Sequence, residues 1–504
     1  MKKLSLHGKE FPDLRLPVYL FFGLLYSLIS LVNHYTFKTT AWDLGINNNA
    51  IFDYSHFRWN DNTLLPGEQF KNILSDHLSI YPLLIAHFRY IFGTYTMLVF
   101  QIAALLFGGM GIYRLVEFNA KSKELALLSL ITFFSVWGIY SALSFDYHDN
   151  VIASMLVPWL FYSLARNNYR GFFLFGILIL LGKENMALWL VFICTGIFIL
   201  NVQDRKKRTA ALGLAAVAAI YFVACIKFII PAFSNAGRGY LHFNFTALGG
   251  NFKEAFFRII EDPVYAFRLL YINHTGQLDY EGIKAELHKF FFLSGGILLI
   301  FRPAYFVMLI PIYAQKLFND DFAKWGINSH YSIEFAPILM IGAYDVISRK
   351  HKDTQVRLSI AGAVLISTAF MTYRSFEHRV SKWYYPDKLT FYKNSHYTAE
   401  FDIAEVHRAL KLIPPDVPLS ASEVLVPHLA FRDSIYQFPV VKNAEFIMIL
   451  RHSQSYPLNA EELIRESERL LHDKSWLLLY NKNNTLIFRK APSGHSKSNN
   501  SSAD

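Results

Sequence analysis

Several short clusters of this 504-residue chain hold side chains that could do chemistry. Asp43 lies in Trp42-Asp43-Leu44-Gly45-Ile46. A carboxylate there could act as a general base, although Asp ahead of an apolar helix is also an ordinary helix N-cap. Asp76-His77 precedes another apolar stretch and offers the same choice between a cap with an interfacial histidine and a substrate contact. Asp146-Tyr147-His148-Asp149 packs four polar groups into one short loop. Such a loop is either simply solvated or able to bind a phosphate or a sugar. Its His and Asp spacing matches no particular metal site, so no cofactor is expected and a divalent ion is merely compatible with it. Lys183-Glu184 occupies adjacent positions, which point in different directions on a helix. Lys183 either snorkels to the membrane surface or neutralises a lipid phosphate. His330-Tyr331 opens a further apolar segment, with Glu334 one turn later on the same face. A carboxylate inside a span needs a partner or a watery cavity.

The elements that must position these groups are membrane spans. Hydrophobic residues make up 53% of the chain and charged ones 17%, against about 25% charged in soluble domains. Mean hydropathy is +0.24. Residues 16–34 carry no Lys, Arg, Asp or Glu, and a span needs roughly 20 mainly apolar residues. Comparable blocks fall at 94–116, 125–144, 150–165, 171–182, 186–201, 210–232, 289–301, 304–317, 332–348 and 358–373. The expected fold is therefore an α-helical polytopic membrane protein of about eleven transmembrane helices. The first block is too long for a signal-peptide core and has no small-residue cleavage site after it, so it reads as a retained span.

The net charge of +10 follows from topology. Basic clusters at Lys2, Lys3, Lys9 and Arg15, at Lys121 and Lys123, at Arg166 and Arg170, at 205–208, at Arg302 and at 349–357 recur at every second loop. This positive-inside pattern places the N-terminus in the cytoplasm and the C-terminus outside, in a cytoplasmic (inner) membrane. No basic strip interleaved with aromatics points to nucleic acid. Cys194 and Cys225 fall inside spans and predict no disulfide.

This topology puts the polar clusters on the outer side. Residues 1–373 form the transmembrane part, with a large first outer loop at 35–93, a tight one at 144–150, a polar one at 233–288 and a short one at 318–331. Stretches 43–58 and 77–92 are amphipathic enough for short helices in the interface plane. Beyond residue 373, helix-like stretches at 401–412 and 459–472 alternate with short apolar runs, and 476–480 and 485–489 flank a hairpin signal. Residues 374–491 are thus expected to form a small extracytoplasmic α/β domain, followed by a disordered Ser/Asn-rich tail at 492–504.

The clusters also occur in a telling order. Asp43-Leu44-Gly45-Ile46, Asp76-His77-Leu78-Ser79, Phe145-Asp146-Tyr147-His148, Lys183-Glu184, His330-Tyr331 and Pro337, continued by Pro427-His428-Leu429, Arg432 and Ile435-Tyr436, resemble the multi-pass membrane family called domain of unknown function 2079. The resemblance covers roughly residues 17–450. That family is similar in layout to the GT-C glycosyltransferases, which have a large first outer loop with a catalytic acidic residue. They move a sugar from a polyprenyl-phosphate donor to an acceptor on the outer face. The resemblance implies a membrane glycosyltransferase with Asp43 as general base and an acceptor that is a glycan, lipid or protein. Asp76, His77, Asp146, His148, Lys183, Glu184, His330, Tyr331 and Glu334 would bind substrate, membrane lipids would surround the spans, and Lys183, His77 and His148 would face the leaving phosphate. Two departures stand out. Where the family usually continues Phe-Asp-Gln after Asp-Leu-Gly-Ile, this chain has Asn47-Asn48-Asn49, and the family's His-Pro pair is His148-Asp149. A mechanism needing two carboxylates in the first loop is therefore in doubt. Two other readings fit the same residues: a transporter or flippase with a broken helix at Gly182-Lys183-Glu184, and a non-catalytic envelope scaffold.

Overall fold

The structure is a computed structural model that describes residues 13–65, 72–235, 243–350 and 352–492. Lys2, Lys3 and Lys9 and the tail expected after residue 492 lie outside the described residues.

Every apolar block of the sequence falls on helix. A lipid environment offers no partner to backbone polar groups, so each segment must satisfy its own. Arg15–Tyr35, Tyr81–Ala120, Arg205–Phe233 and Thr354–Glu377 are long and apolar enough to cross a membrane. Lys123–Phe134 and Trp137–Leu143 make a fifth only if counted together across their 43° bend. Tyr169–Leu180, Glu184–Leu200 and Ala304–Leu317 are apolar but shorter. The block at 289–301 is broken: helix Ile283–Leu293 ends and a 3-10 turn, Gly296–Phe301, follows. Residues 81–92 do not stand apart as a surface helix. They run with little interruption into the long helix Thr96–Ala120.

Local signals set the helix ends. Ser122, Asn168, Asp204 and Asp353 each accept a backbone N–H at the start of the helix that follows, as short polar caps do. Close packing depends on small residues: a Cβ at Gly108 would come within 2.7 Å of Met155 Sδ on the helix Asp149–Ala165. Trp137, Trp189, Phe133, Phe134 and Phe335 are fully buried in the resulting core.

Residues 403–490 carry a mixed five-stranded sheet in the order β2-β1-β3-β5-β4, with β1 Leu419–Ala421, β2 Ile435–Gln437, β3 Phe446–Leu450, β4 Trp476–Lys482 and β5 Thr485–Lys490. β1 pairs in parallel with β2 and β3, while β3–β5 and β5–β4 are antiparallel. Asn483 and Asn484 close the last hairpin with positive φ, which suits a tight primed turn. Helix Ala460–His472 starts with an Asn459/Glu462 capping box. The sheet shares a core with the first loop: Phe37, Ala41, Ile46 and Leu64 pack with Val406, Leu419, Leu425 and Val426. Polar bonds reinforce this contact. Asn48 Nδ2 donates to Pro427 O at 2.9 Å, and Asn49 Nδ2 to Ala430 O and Arg432 O at 3.1 and 2.9 Å.

Candidate active site

Thr40 gathers two carboxylates. Its backbone N–H and its hydroxyl lie 2.7 and 2.9 Å from Asp146 Oδ2, and the same hydroxyl lies 3.1 Å from Asp43 Oδ2. A hydroxyl has one proton and donates to only one of them at a time. Asp43 is not a helix cap. It lies inside a π-helical turn, Ala41–Gly45, where Gly45 N bonds back to Thr40 O. Its carboxylate meets Thr40 and His148 side chains instead of a backbone N–H. His148 Nε2 sits 3.1 Å from Asp43 Oδ1. The carboxylate can only accept, so Nε2 carries the proton. Burial raises the Asp43 carboxyl, but the His148 hydrogen bond and charge outweigh it and hold Asp43 below its usual value. Asp43 is therefore ionised near neutral pH.

The loop carrying Asp146 and His148 is held from a span. Buried Gln101 donates to Asp146 O at 2.8 Å and accepts from His148 N at 2.9 Å. Asp146 itself takes a left-handed backbone, φ 54°, which Asp tolerates better than most residues. Burial pushes its carboxyl up to about 6; Lys388 pulls it down and Asp43 pushes it up further. The His148 ring stacks on His330 with centroids 3.4 Å apart. Burial, then the charges of His148 and Lys183, hold His330 well below the usual imidazole range.

Lys183 and Glu184 part company. Glu184 is fully buried, 2.9 Å from His77 Nδ1 and 3.2 Å from Leu78 N. Lys183 faces a cavity of about 420 Å³. Asp43, Asp76, His77, His148, Glu184, His330 and Tyr331 line the same cavity, whose other walls include Leu188, Phe222, Phe245, Phe252 and Ile259. Asp146 stands behind Asp43. Glu334 lines a smaller adjoining pocket and accepts from Asn150 Nδ2 at 2.7 Å. The residues singled out from the sequence thus meet in one place, with Asp146 and Glu334 one layer out. Among the described residues, no three His, Cys, Asp or Glu side chains gather as a metal centre would need.

Other contributors were not read from the sequence. Thr40 and Lys388 carry no motif, and Lys388 and Glu423 act on the Asp43–Asp146 pair from the C-terminal part of the chain. Lys324 lines the cavity beside Lys183. Gln101 was the most accessible of these omissions, being a lone amide within the apolar block 94–116.

Comparison with known proteins places this arrangement. Residues 33–502 match the family described as "Predicted membrane protein (DUF2079)". The chain belongs to this family. No curated protein matches the DUF2079 sequence. Its fold is shared with ArnT from Cupriavidus metallidurans bound to undecaprenyl phosphate, at TM-score 0.52 and 10% identity over 95% of this chain and 98% of that one. The apo state of that protein gives 0.49 at 11% identity, over 93% and 98%. An oligosaccharyltransferase from Archaeoglobus fulgidus gives 0.42 at 11%, over 87% of this chain and 69% of its own. The chain is thus a membrane protein of this family that shares its fold with ArnT.

Proposed function

We propose that this protein transfers a glycosyl group from a polyprenyl-phosphate donor to an extracytoplasmic acceptor, with Asp43 as the general base. The observation that carries this reading is the cavity itself: an ionised carboxylate fixed by Thr40 and His148, a lysine without an ion-pair partner among the described residues, and an apolar wall. The structural neighbour ArnT is bound to undecaprenyl phosphate, and a lipid-linked phosphate suits such a cavity.

In this reaction the acceptor oxygen attacks the anomeric carbon and the acceptor O–H proton passes to the Asp43 carboxylate. The bond from the anomeric carbon to the phosphate oxygen breaks, and polyprenyl phosphate leaves with its electron pair. Lys183 and Lys324 meet the charge that develops on that phosphate. Glu184 fixes His77 at the cavity wall. His148 keeps Asp43 ionised and aimed, leaving free lone pairs for the acceptor hydroxyl. No metal is assigned a role. The N-terminus lies in the cytoplasm in this reading, and residues 374–491 help to hold the acceptor outside an inner membrane.

Asp43→Asn tests the reading. General-base assistance is typically worth about 10²–10⁴-fold, so transfer from a panel of labelled polyprenyl-phosphate sugars should fall by that much while binding of undecaprenyl phosphate persists. Full activity in Asp43→Asn would refute the assignment of the base. The side pocket that Lys183 shares with Glu334 measures only about 30 Å³, which favours chemistry in the main cavity over passage of a polar solute past that pair.

A further inference from the structure

The small pocket beside the main cavity has an unusual demand. Asn150 Oδ1, Asn185 Oδ1 and Glu334 Oε2 are buried and have no hydrogen-bond donor among the described residues. Their orientation is fixed from the other side. Asn150 Nδ2 donates to Glu334 Oε1 at 2.7 Å, and Asn185 Nδ2 donates to Gln315 Oε1 at 3.2 Å. Flipping Asn150 would set two acceptors against each other and turn its Nδ2 away from His330 O, 3.5 Å distant. Asn185 holds this orientation while Gln315 presents Oε1 to it. Asn150 and Glu334 are 3% and 4% exposed. His330 Nδ1 on the same lining is also unpartnered and can donate or accept. Buried polar groups are nearly always satisfied, so the group that belongs here donates to an oxygen and can also accept. A hydroxyl qualifies. A phosphate, a carboxylate or an alkyl group does not.

Size and place narrow the choice. At about 30 Å³ the pocket admits one water-sized group and no sugar ring. Lys183, Lys324, His330 and Tyr331 line both this pocket and the main cavity. A phosphate held at the two lysines carries its sugar directly on a phosphate oxygen, at the pocket's edge. The geometry points to a sugar-selecting subsite in which one hydroxyl substituent of the transferred glycosyl group donates its single proton to one oxygen of Asn150, Asn185 or Glu334 at a time. This rests on the transferase reading above and adds the basis of donor choice. A sugar lacking that hydroxyl leaves the acceptors unpaired, which is the strongest form of discrimination a polar pocket can exert.

The test uses the full-length protein in lipid nanodiscs and measures binding of farnesyl phosphate, of farnesyl-phosphoryl glucose, galactose, mannose and xylose, and of singly deoxygenated forms of the tightest of these. At least one glycosylated probe should bind about tenfold or more tighter than farnesyl phosphate. One deoxy form should lose that margin. Glu334→Gln, which replaces an acceptor by a donor at nearly the same volume, and Asn185→Ala, at the half-buried rim, should also abolish the margin. Both variants should keep farnesyl phosphate binding. If Glu334→Gln fails to fold, Asn185→Ala decides alone. A margin unchanged in the variants, or sugars that add nothing to a farnesyl phosphate affinity that depends on Lys183, overturns the subsite and leaves the transferase reading standing. Absence of binding by every probe overturns both.

Discussion

One proton on Thr40 is shared between two acids, so the protonation of Asp146 matters to Asp43. Burial pushes the Asp146 carboxyl up to about 6, from 3.8. A group with a raised folded-state pKa binds its proton more tightly in the folded chain. Its contribution to stability is complete below 3.8 and is lost as pH rises through about 6. The melting temperature of the solubilised protein should therefore fall across that window, and Asp146→Asn should flatten that part of the profile in a thermal scan at stepped pH. Asp43 moves the other way, so it stays ionised through the same window. The two Asp residues look alike in sequence. Their contrasting behaviour comes from His148 beside one and from burial with fewer charge partners beside the other, which only the folded chain supplies.

At the level of elements, the short polar clusters are useful only because helix ends deliver them to one place. Trp137–Leu143 shows how tight that delivery is. A Cβ on Gly138 would lie 2.6 Å from Ser332 O and 3.2 Å from its carbonyl carbon, backbone atoms that cannot rotate aside. Gly138→Ala should cost about 1–3 kcal/mol and shift the segment that carries His330 and Glu334. We expect a lower melting temperature together with slower transfer, although Asp43 and Lys183 are untouched. Much of this level was legible. Apolar blocks fell on helices, and the segments 476–480 and 485–489 that flank the hairpin signal fell on β4 and β5. The N-cap alternative for Asp43 failed because the chain makes a π-helical turn there, with Gly45 N bonded to Thr40 O and Ile46 N to Ala41 O, and such a turn leaves no pattern in residue type. The break at 289–301 did carry a signal that block length alone overrides: Ser294-Gly295-Gly296 lies inside the run, and Gly295 takes φ 101°.

At the scale of the whole molecule, the first loop and the C-terminal sheet form one body. The departure from the family pattern at Asn47-Asn48-Asn49 finds a physical account here. Asn48 Nδ2 donates both to Thr94 O, at 3.0 Å, and to Pro427 O, at 2.9 Å. A carboxylate in its place could donate to neither carbonyl. Asn48→Asp should destabilise the protein by about 1–3 kcal/mol and speed proteolytic release of residues 403–490, seen by time-resolved digestion of the solubilised chain. Such pairings were invisible in the sequence, because amide groups carry no mark of a partner 379 residues away. That distance also sets a timetable. At about 5–20 residues per second of synthesis, the loop bearing Asp43 leaves the ribosome roughly 20–80 s before the strands that clamp it. During that interval it must be kept from other partners, so a nascent chain halted before Pro427 holds every residue that lines the cavity and still lacks the segment that clamps the Asp43 loop.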